Sequence, residues 1–317
     1  MNILITGGCG FIGSHFIRHM ISKYSEYSIV NLDNLTYAGN LNNTKDFENN
    51  KNYKFVKGDI CDKKLIDSIT KEVNAIINFA AETHVDRSII EAGIFVMTDV
   101  IGTHVLLEAA RKNDIPLLQI STDEVYGSTE RGSFKETDNL QPSSLYSASK
   151  ASADLLVRAY NKTYGLPILI TRSSNNYGPY QHPEKLIPLC ITNLIRNKNV
   201  PIYGDGMNVR DWLFVNDNCK AIDLVFHKGK NGEVYNIASG REMRNIDIVK
   251  MILALLNKSE KFIEFIEDRK GHDRRYSLDF SKIRELDWVP ESTFEDGLKK
   301  TVDWYLKNTW WWKPLVK

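Results

Sequence analysis

The 317-residue chain is poor in several things at once, and each shortage closes a class of function. Its 4 cysteines, Cys9, Cys61, Cys190 and Cys219, are scattered and form no C-x-x-C pair. That argues against a disulfide framework or a zinc site and for reduced thiols in a cytoplasm; no metal site is expected. Net charge is almost lacking, with 41 basic against 40 acidic residues, so neither nucleic acid nor an anionic membrane is an expected partner. Long apolar runs are missing too. The most apolar helical stretch, Ile246 to Leu256, is broken by Asp247 and Lys250 and is too short to cross a bilayer. No signal peptide is expected, since Asn2 to Thr6 already reads as a strand. The one compositional oddity, Trp310-Trp311-Trp312-Lys313-Pro314, is expected to dock the last helix onto the body.

What the first half does contain is alternation. Short apolar runs at Ile3–Thr6, Ser28–Leu32, Tyr53–Lys57, Ala75–Ala80, Leu117–Ser121 and Ile168–Arg172 read as strands. Amphipathic stretches at Phe11–Lys23, Lys64–Lys71, Met97–Lys112 and Ser147–Tyr164 read as the helices between them. Alternating elements with right-handed crossovers predict an α/β fold, a doubly wound parallel sheet of the Rossmann kind. After Arg172 the rhythm changes and prolines punctuate the chain. We expect residues 1–173, with roughly 210–238, to form the nucleotide-binding domain, and 174–209 with 239–317 to form a smaller, discontinuous substrate lobe.

The first strand runs into Thr6-Gly7-Gly8-Cys9-Gly10-Phe11-Ile12-Gly13, which satisfies G-x-x-G-x-x-G and G-x-G-x-x-G together. Missing Cβ atoms let backbone approach a pyrophosphate, and the following helix offers its N-terminal N–H groups to the anion. A strand before and a helix after give this otherwise weak motif its required context. Asp33 ends the second strand, where a carboxylate accepts hydrogen bonds from adenosine ribose, so NAD is expected over NADP. Asp59, Ile60, Ala80 and Ala81 follow the next two strands as plausible adenine and ribose neighbours. Cys9, at a helix N-terminus, is expected to be more acidic than a free thiol.

The chemistry gathers at Ser121-Thr122-Asp123-Glu124-Val125-Tyr126-Gly127 and Tyr146-Ser147-Ala148-Ser149-Lys150. Tyr146 and Lys150 lie one helical turn apart, and an ammonium beside a phenol lowers the phenol's pKa. Such a phenolate would take a proton from a substrate hydroxyl while NAD takes hydride from the same carbon, with Thr122 sharing that hydroxyl. Asp123 and Glu124 both reach one substrate only if the strand is ending, and in different environments they would divide into one acid and one base.

These motifs resemble the extended short-chain dehydrogenase/reductase family, and within it the dTDP-glucose 4,6-dehydratases. The likeness extends over Leu32 to Leu41, Ala80 to Ser88, Ser174 to Tyr180, Pro183 to Pro188, Arg210 to Trp212 and Gly271 to Tyr276. It implies that Tyr146, Lys150 and Thr122 drive oxidation of dTDP-glucose at sugar carbon 4, that Glu124 removes the carbon 5 hydrogen, and that Asp123 protonates the hydroxyl leaving carbon 6. It implies NAD contacts from Gly7, Gly10, Phe11, Ile12, Gly13, Asp33, Thr36, Asp59, Ile60, Ala80, Ala81, Thr83, Tyr146, Lys150 and Asn176. Substrate contacts implied are Thr83, His84, Thr122, Asn175, Glu184, Lys185, Leu186, Pro201, Tyr203, Arg210, Asn245, His272, Arg275 and Tyr276. A cytoplasmic homodimer, paired through Met97–Lys112 and Ser147–Tyr164, and a role in deoxysugar and rhamnose precursor synthesis belong to the same resemblance. A UDP-glucose 4,6-dehydratase, a sugar-nucleotide 4-epimerase and a silent NAD-binding regulator stay open as alternatives. Retention of Tyr146, Lys150, Asp123 and Glu124 together speaks against the last, because binding alone requires none of them.

Overall fold

A computed structural model describes residues 1–269 and 271–316. Its strands are β1 Asn2–Thr6, β2 Ser28–Asp33, β3 Tyr53–Lys57, β4 Ala75–Asn78, β5 Leu117–Thr122 and β6 Ile168–Ser173, followed by β7 Asn175–Tyr177, β8 Val200–Tyr203, β9 Val209–Phe214, β10 Val234–Ile237, β11 Glu242–Arg244 and β12 Ile263–Ile266. Seven of them form one parallel sheet in the order β10-β6-β5-β4-β1-β2-β3. The α/β reading therefore holds. The order reverses between β1 and β4, and a crevice at such a switch point is where doubly wound sheets take nucleotides. Buried apolar side chains fill the space on both faces: Phe16, Ile17 and Ile222 on one, Leu106, Leu107 and Val157 on the other.

A further core gathers Ile187, Ile191, Trp212, Ile248, Leu298, Tyr305 and Trp312 among its buried residues. Strands β11, β9 and β7 pair there, antiparallel and then parallel, and β12 pairs with β8. Within the stretch 210–238, β9 thus joins the small sheet, whereas helix Val215–Lys228 packs on helix Phe11–Lys23 and β10 closes the edge of the large sheet. The buried residues Ile283 and Trp288 likewise pack in the core beneath the large sheet. Trp311 and Trp312 are buried and Trp310 is exposed, so two of the three terminal tryptophans dock.

Two features differ from the sequence reading. The stretch expected as a helix from Met97 begins at Ala92 and continues to Asn113, and by length and composition alone it is long and apolar enough to cross a membrane. Reading from Met97 misses Ile94, Phe95 and Val96, which is why Ile246–Leu256 looked the more apolar. This helix packs on helix Leu145–Tyr164 and on β4. Its middle, Val96–Gly102, is a π-helical turn. The extra residue in such a turn rotates side chains off the regular stripe, and here it carries Asp99, 1 % exposed, into the interior.

Candidate active site

A cavity of about 610 Å³ opens at the switch point, lined from Gly7 and Asp33 at one end to Thr122, Asp123, Glu124, Tyr146 and Lys150 at the other. The glycine-rich loop forms one wall. Gly7 has φ +69°, and a Cβ there would sit 2.6 Å from Ala80 N, so only glycine allows β1 to turn this close to the end of β4. No side chain caps helix Phe11–Lys23, which leaves its N-terminal N–H groups facing the cavity. Asp33 accepts from Cys9 N and Leu35 N, both at 2.8 Å, so the carboxylate orders the loop as well as facing the cavity. Gly10, Phe11, Ile12, Gly13, Thr36, Asp59, Ile60, Ala80, Ala81, Thr83 and Asn176 share this wall. The Cys9 thiol departs from expectation: burial, then the Asp33 charge, raises its pKa to about 12. It is wedged behind the loop, fully buried, and Asn31 Nδ2 donates to its Sγ at 3.4 Å.

At the opposite end β5 stops at Thr122 and the chain turns into a 3₁₀ helix, Asp123–Tyr126. Thr122 caps that turn, accepting from Glu124 N at 3.2 Å and donating to Asp123 Oδ1 at 2.9 Å. The end of the strand is what brings two neighbouring carboxyl groups to one cavity. Their environments differ. Asp123 is 3 % exposed, and burial followed by the Glu124 charge raises its pKa to about 8. Its Oδ2 is buried with no hydrogen-bond partner among the described residues. Glu124 is also raised by burial, but Arg269, Arg210 and Lys185 pull it back. Burial biases Asp123 toward the neutral acid, while the neighbouring cations favour the charged form of Glu124.

The turn is fixed from behind. Arg172 Nη1 donates to Tyr126 OH at 2.7 Å, Tyr126 OH donates to Asn236 Oδ1 at 2.9 Å, and Arg172 Nε meets Asp154 Oδ2 at 2.8 Å with both ions fully buried. Asp154 lies on helix Leu145–Tyr164, two turns after Tyr146, so this buried pair ties the acid turn to the helix carrying the phenol and the ammonium.

Lys150 Nζ donates to Ile120 O at 2.8 Å. Tyr146 is held well above its ordinary pKa by burial and then by the charges of Glu124, Asp99 and Asp123, with Thr122 acting the other way. This corrects the expectation that the neighbouring ammonium by itself yields a phenolate: three carboxyl groups surround the phenol, and the lysine is turned to the strand. Asp99 was not legible in the sequence. Its Oδ2 accepts from Ser149 Oγ at 2.6 Å and its Oδ1 from Glu82 N at 3.0 Å, which joins the Tyr146 helix to the loop after β4.

The expected substrate contacts divide. Thr83, Thr122, Asn175, Glu184 and Lys185 line the cavity, and Lys185 Nζ donates to Thr83 O at 2.9 Å. His84, Leu186, Pro201, Tyr203, Arg210, Asn245, His272, Arg275 and Tyr276 lie outside its wall. Several of these contact one another in two groups: Arg210 lies over the Tyr276 ring at 4.0 Å, Tyr203 meets His272 edge-on at 6.1 Å, and Tyr203 OH donates to Asp86 Oδ2 at 3.1 Å. Arg275 is the exception. Its guanidinium is bidentate to Glu242 at 2.6 and 2.7 Å and also donates to Gly132 O, so its fork is taken. Arg269 has its Nε buried without a partner among the described residues, and its charge acts on Glu124. Buried oxygens of Asn175, Asn176, Asn245 and Glu184 and Nδ1 of His84 are likewise without partners among the described residues. Orphaned polar atoms of this density are what a polar ligand satisfies.

The geometry agrees with the comparisons. A family model described as GDP-mannose 4,6 dehydratase matches residues 4–301. The low-salt glycan biosynthesis protein Agl12 of Haloferax volcanii is 53% identical over 307 residues, covering 96% of this chain and 99% of its own. A crystal structure of dTDP-glucose 4,6-dehydratase from Bacillus anthracis in complex with NAD is 54% identical with a TM-score of 0.94, covering 100% of both chains. That of DesIV, a dTDP-glucose 4,6-dehydratase from Streptomyces venezuelae with NAD and TYD bound, is 48% identical with a TM-score of 0.98, again covering 100% of both.

Proposed function

The chain belongs to the GDP-mannose 4,6 dehydratase family, and from that premise we propose that it dehydrates dTDP-glucose to dTDP-4-keto-6-deoxyglucose as an NAD-dependent hydro-lyase. The observation that carries this reading is the pairing of Asp123 with Glu124 at the end of β5, in one cavity with Tyr146 and Lys150. A 4-epimerase needs the phenol and the ammonium but has no use for a separate acid and base.

The residues of the glycine-rich loop fit a dinucleotide: a left-handed Gly7 packed against β4, an uncapped helix N-terminus and a carboxylate at Asp33. When bound, NAD supplies a hydride acceptor for sugar carbon 4 and returns the hydride to carbon 6, so its oxidation state is unchanged over a cycle. Tyr146 takes the proton of the 4-hydroxyl, with Thr122 sharing that hydrogen bond. The phenolate form accepts that proton as hydride leaves carbon 4, and the surrounding carboxyl charges then favour the protonated phenol, which holds the proton at the new carbonyl oxygen. Glu124 removes the carbon 5 hydrogen, which the carbon 4 ketone acidifies, and gives a proton back to carbon 5 when hydride reaches carbon 6. Asp123, kept neutral by burial, donates its proton to the carbon 6 hydroxyl, which departs as water. Arg269 and Lys185 set positive charge on Glu124 and fit a diphosphate, whose oxygens an Arg fork meets with two hydrogen bonds, while Arg210 adds charge with its terminal nitrogens donating to Val209 O and Asp273 O.

Val96, Met97, Ile101 and Leu155 are all at least 40 % exposed on helices Ala92–Asn113 and Leu145–Tyr164, and this apolar face supports a homodimer. Four cysteines outside any disulfide suit a cytoplasmic enzyme, and its product enters deoxysugar synthesis such as that of rhamnose. The thymine preference rests on relatives rather than on any one residue here. A single methyl group in an apolar pocket gives about 10–200-fold. Turnover of dTDP-glucose and UDP-glucose by protein purified without added cofactor tests the proposal. A 4-keto product from dTDP-glucose supports it, and equal catalytic efficiency on the two nucleotides removes the thymine claim.

A further inference from the structure

The terminal tryptophans were expected only to pack, yet one of them reaches the glycine-rich loop. Trp311 Nε1 donates to Asn43 Oδ1 at 2.8 Å, and Asn43 Nδ2 donates in turn to the carbonyl oxygen of Cys9 at 2.8 Å. Both side chains are buried, Trp311 at 2 % and Asn43 at 1 % exposure. The relay joins residues 268 positions apart in sequence. It runs from a tail rooted in the second lobe, through the loop after β2, to the turn where a pyrophosphate would lie. Trp311, Pro314 and Leu315 also line the same cavity as Gly10 and Phe11.

Trp312 provides an internal contrast. It is fully buried, and its Nε1 donates to Tyr305 O at 2.8 Å, within its own lobe. It does not line the cavity. The two adjacent indoles therefore make equally short buried hydrogen bonds, but only one of them holds the two lobes together.

We propose that the C-terminal tail is a cofactor clasp, in which Trp311 acts through Asn43 on the Cys9 carbonyl to keep the dinucleotide from leaving between the two hydride transfers. This rests on the reading that NAD fills the cavity. A hydride taken from carbon 4 must wait in the site until water has left, and escape in that interval would strand both the ketone and the reduced cofactor. Opening the loop toward the tail breaks two buried hydrogen bonds, and neither group finds water until the tryptophan has moved.

The test measures NAD(H) release from the purified holoprotein, not activity. NAD(H) content of the unsubstituted protein is measured first, and a protein that holds none overturns the cofactor reading itself. Dissociation after dilution into a trap is then compared for the unsubstituted protein, Trp311→Phe, Trp312→Phe and Asn43→Ser. Losing one buried hydrogen bond should speed release from Trp311→Phe about fivefold, while Trp312→Phe stays within about twofold of the parent. Asn43→Ser should release at least as fast as Trp311→Phe, and the double variant no faster than Asn43→Ser, because both act on one relay. Asn43→Ser keeps the packed indole and carries the test if Trp311→Phe no longer melts cooperatively. Equal release from the two tryptophan variants, or strictly additive effects of Trp311→Phe and Asn43→Ser, would overturn the clasp.

Discussion

Asp123→Asn separates the two things the structure asks of this carboxyl group, its proton and its burial. A carboxyl raised from 3.8 to about 8 is roughly nine-tenths protonated at pH 7 and one-tenth at pH 9. Elimination by the unsubstituted protein should therefore fall close to tenfold between those values, provided the first oxidation is followed separately. The amide has no proton to give, so elimination should slow by about 10²–10⁴-fold. Oxidation at carbon 4 survives, because Tyr146 and Lys150 are untouched, and reduced-nicotinamide absorbance should build up in a single turnover. Stability should move the other way. The folded-state pKa lies above the unfolded one, so the stability associated with the proton is complete below about 3.8 and is lost as pH rises toward about 8. At about 1.4 kcal/mol per pH unit that loss amounts to roughly 4 kcal/mol at pH 7, an upper bound for one buried carboxyl group. The amide escapes it. Urea unfolding at pH 5 and pH 8 should thus show Asn gaining on Asp as pH rises. A stability difference that is the same at both pH values, with no reduced nicotinamide in the single turnover, would refute the assignment of Asp123 as the neutral acid.

Glu124→Gln should leave the first oxidation intact and suppress deuterium exchange at carbon 5, and normal exchange in that variant would move the base elsewhere. Tyr146→Phe should block reduced-nicotinamide formation itself, so absorbance that still rises at the parent rate would remove the phenol from the first step. Asp154→Ala leaves the Arg172 guanidinium buried and unpaired, which should cost about 3–5 kcal/mol in urea unfolding. A loss under 1 kcal/mol would show that the buried pair does not hold the acid turn to the Tyr146 helix.

The parts of the site that were legible are those built from neighbours in sequence. Gly7, Gly10 and Gly13 sit between a strand and a helix, Asp33 ends the next strand, and Thr122 to Glu124 end another. Tyr146 and Lys150 share one helical face. Periodicity and turn chemistry report such groupings directly. What stayed hidden depends on geometry without a sequence period. Arg269, Arg274 and Arg275 lie close together in sequence, and nothing in their order tells which faces inward. Arg275 pairs with Glu242, on a different strand, which its place in the sequence does not show. Asp99 is buried within a π turn, a local irregularity that helical periodicity does not announce. The Tyr146 and Cys9 expectations failed for one reason, in that both weighed a nearby positive end and neither could weigh burial among carboxylates. Trp311 and Asn43 meet across the whole chain, beyond any local pattern.

The central claim is that the hydrogen removed from carbon 4 returns to carbon 6 of the same sugar. Incubating the protein with an equal mixture of unlabelled dTDP-glucose and dTDP-glucose carrying deuterium at carbon 4 and a heavy-carbon ring tests this directly. The account predicts a 4-keto-6-deoxy product, lighter than its substrate by one water, with deuterium at carbon 6 confined to the heavy-carbon molecules. Deuterium found back at carbon 4 of a product of unchanged composition would make the protein an epimerase, and deuterium spread over both carbon pools would contradict a hydride held within one closed site.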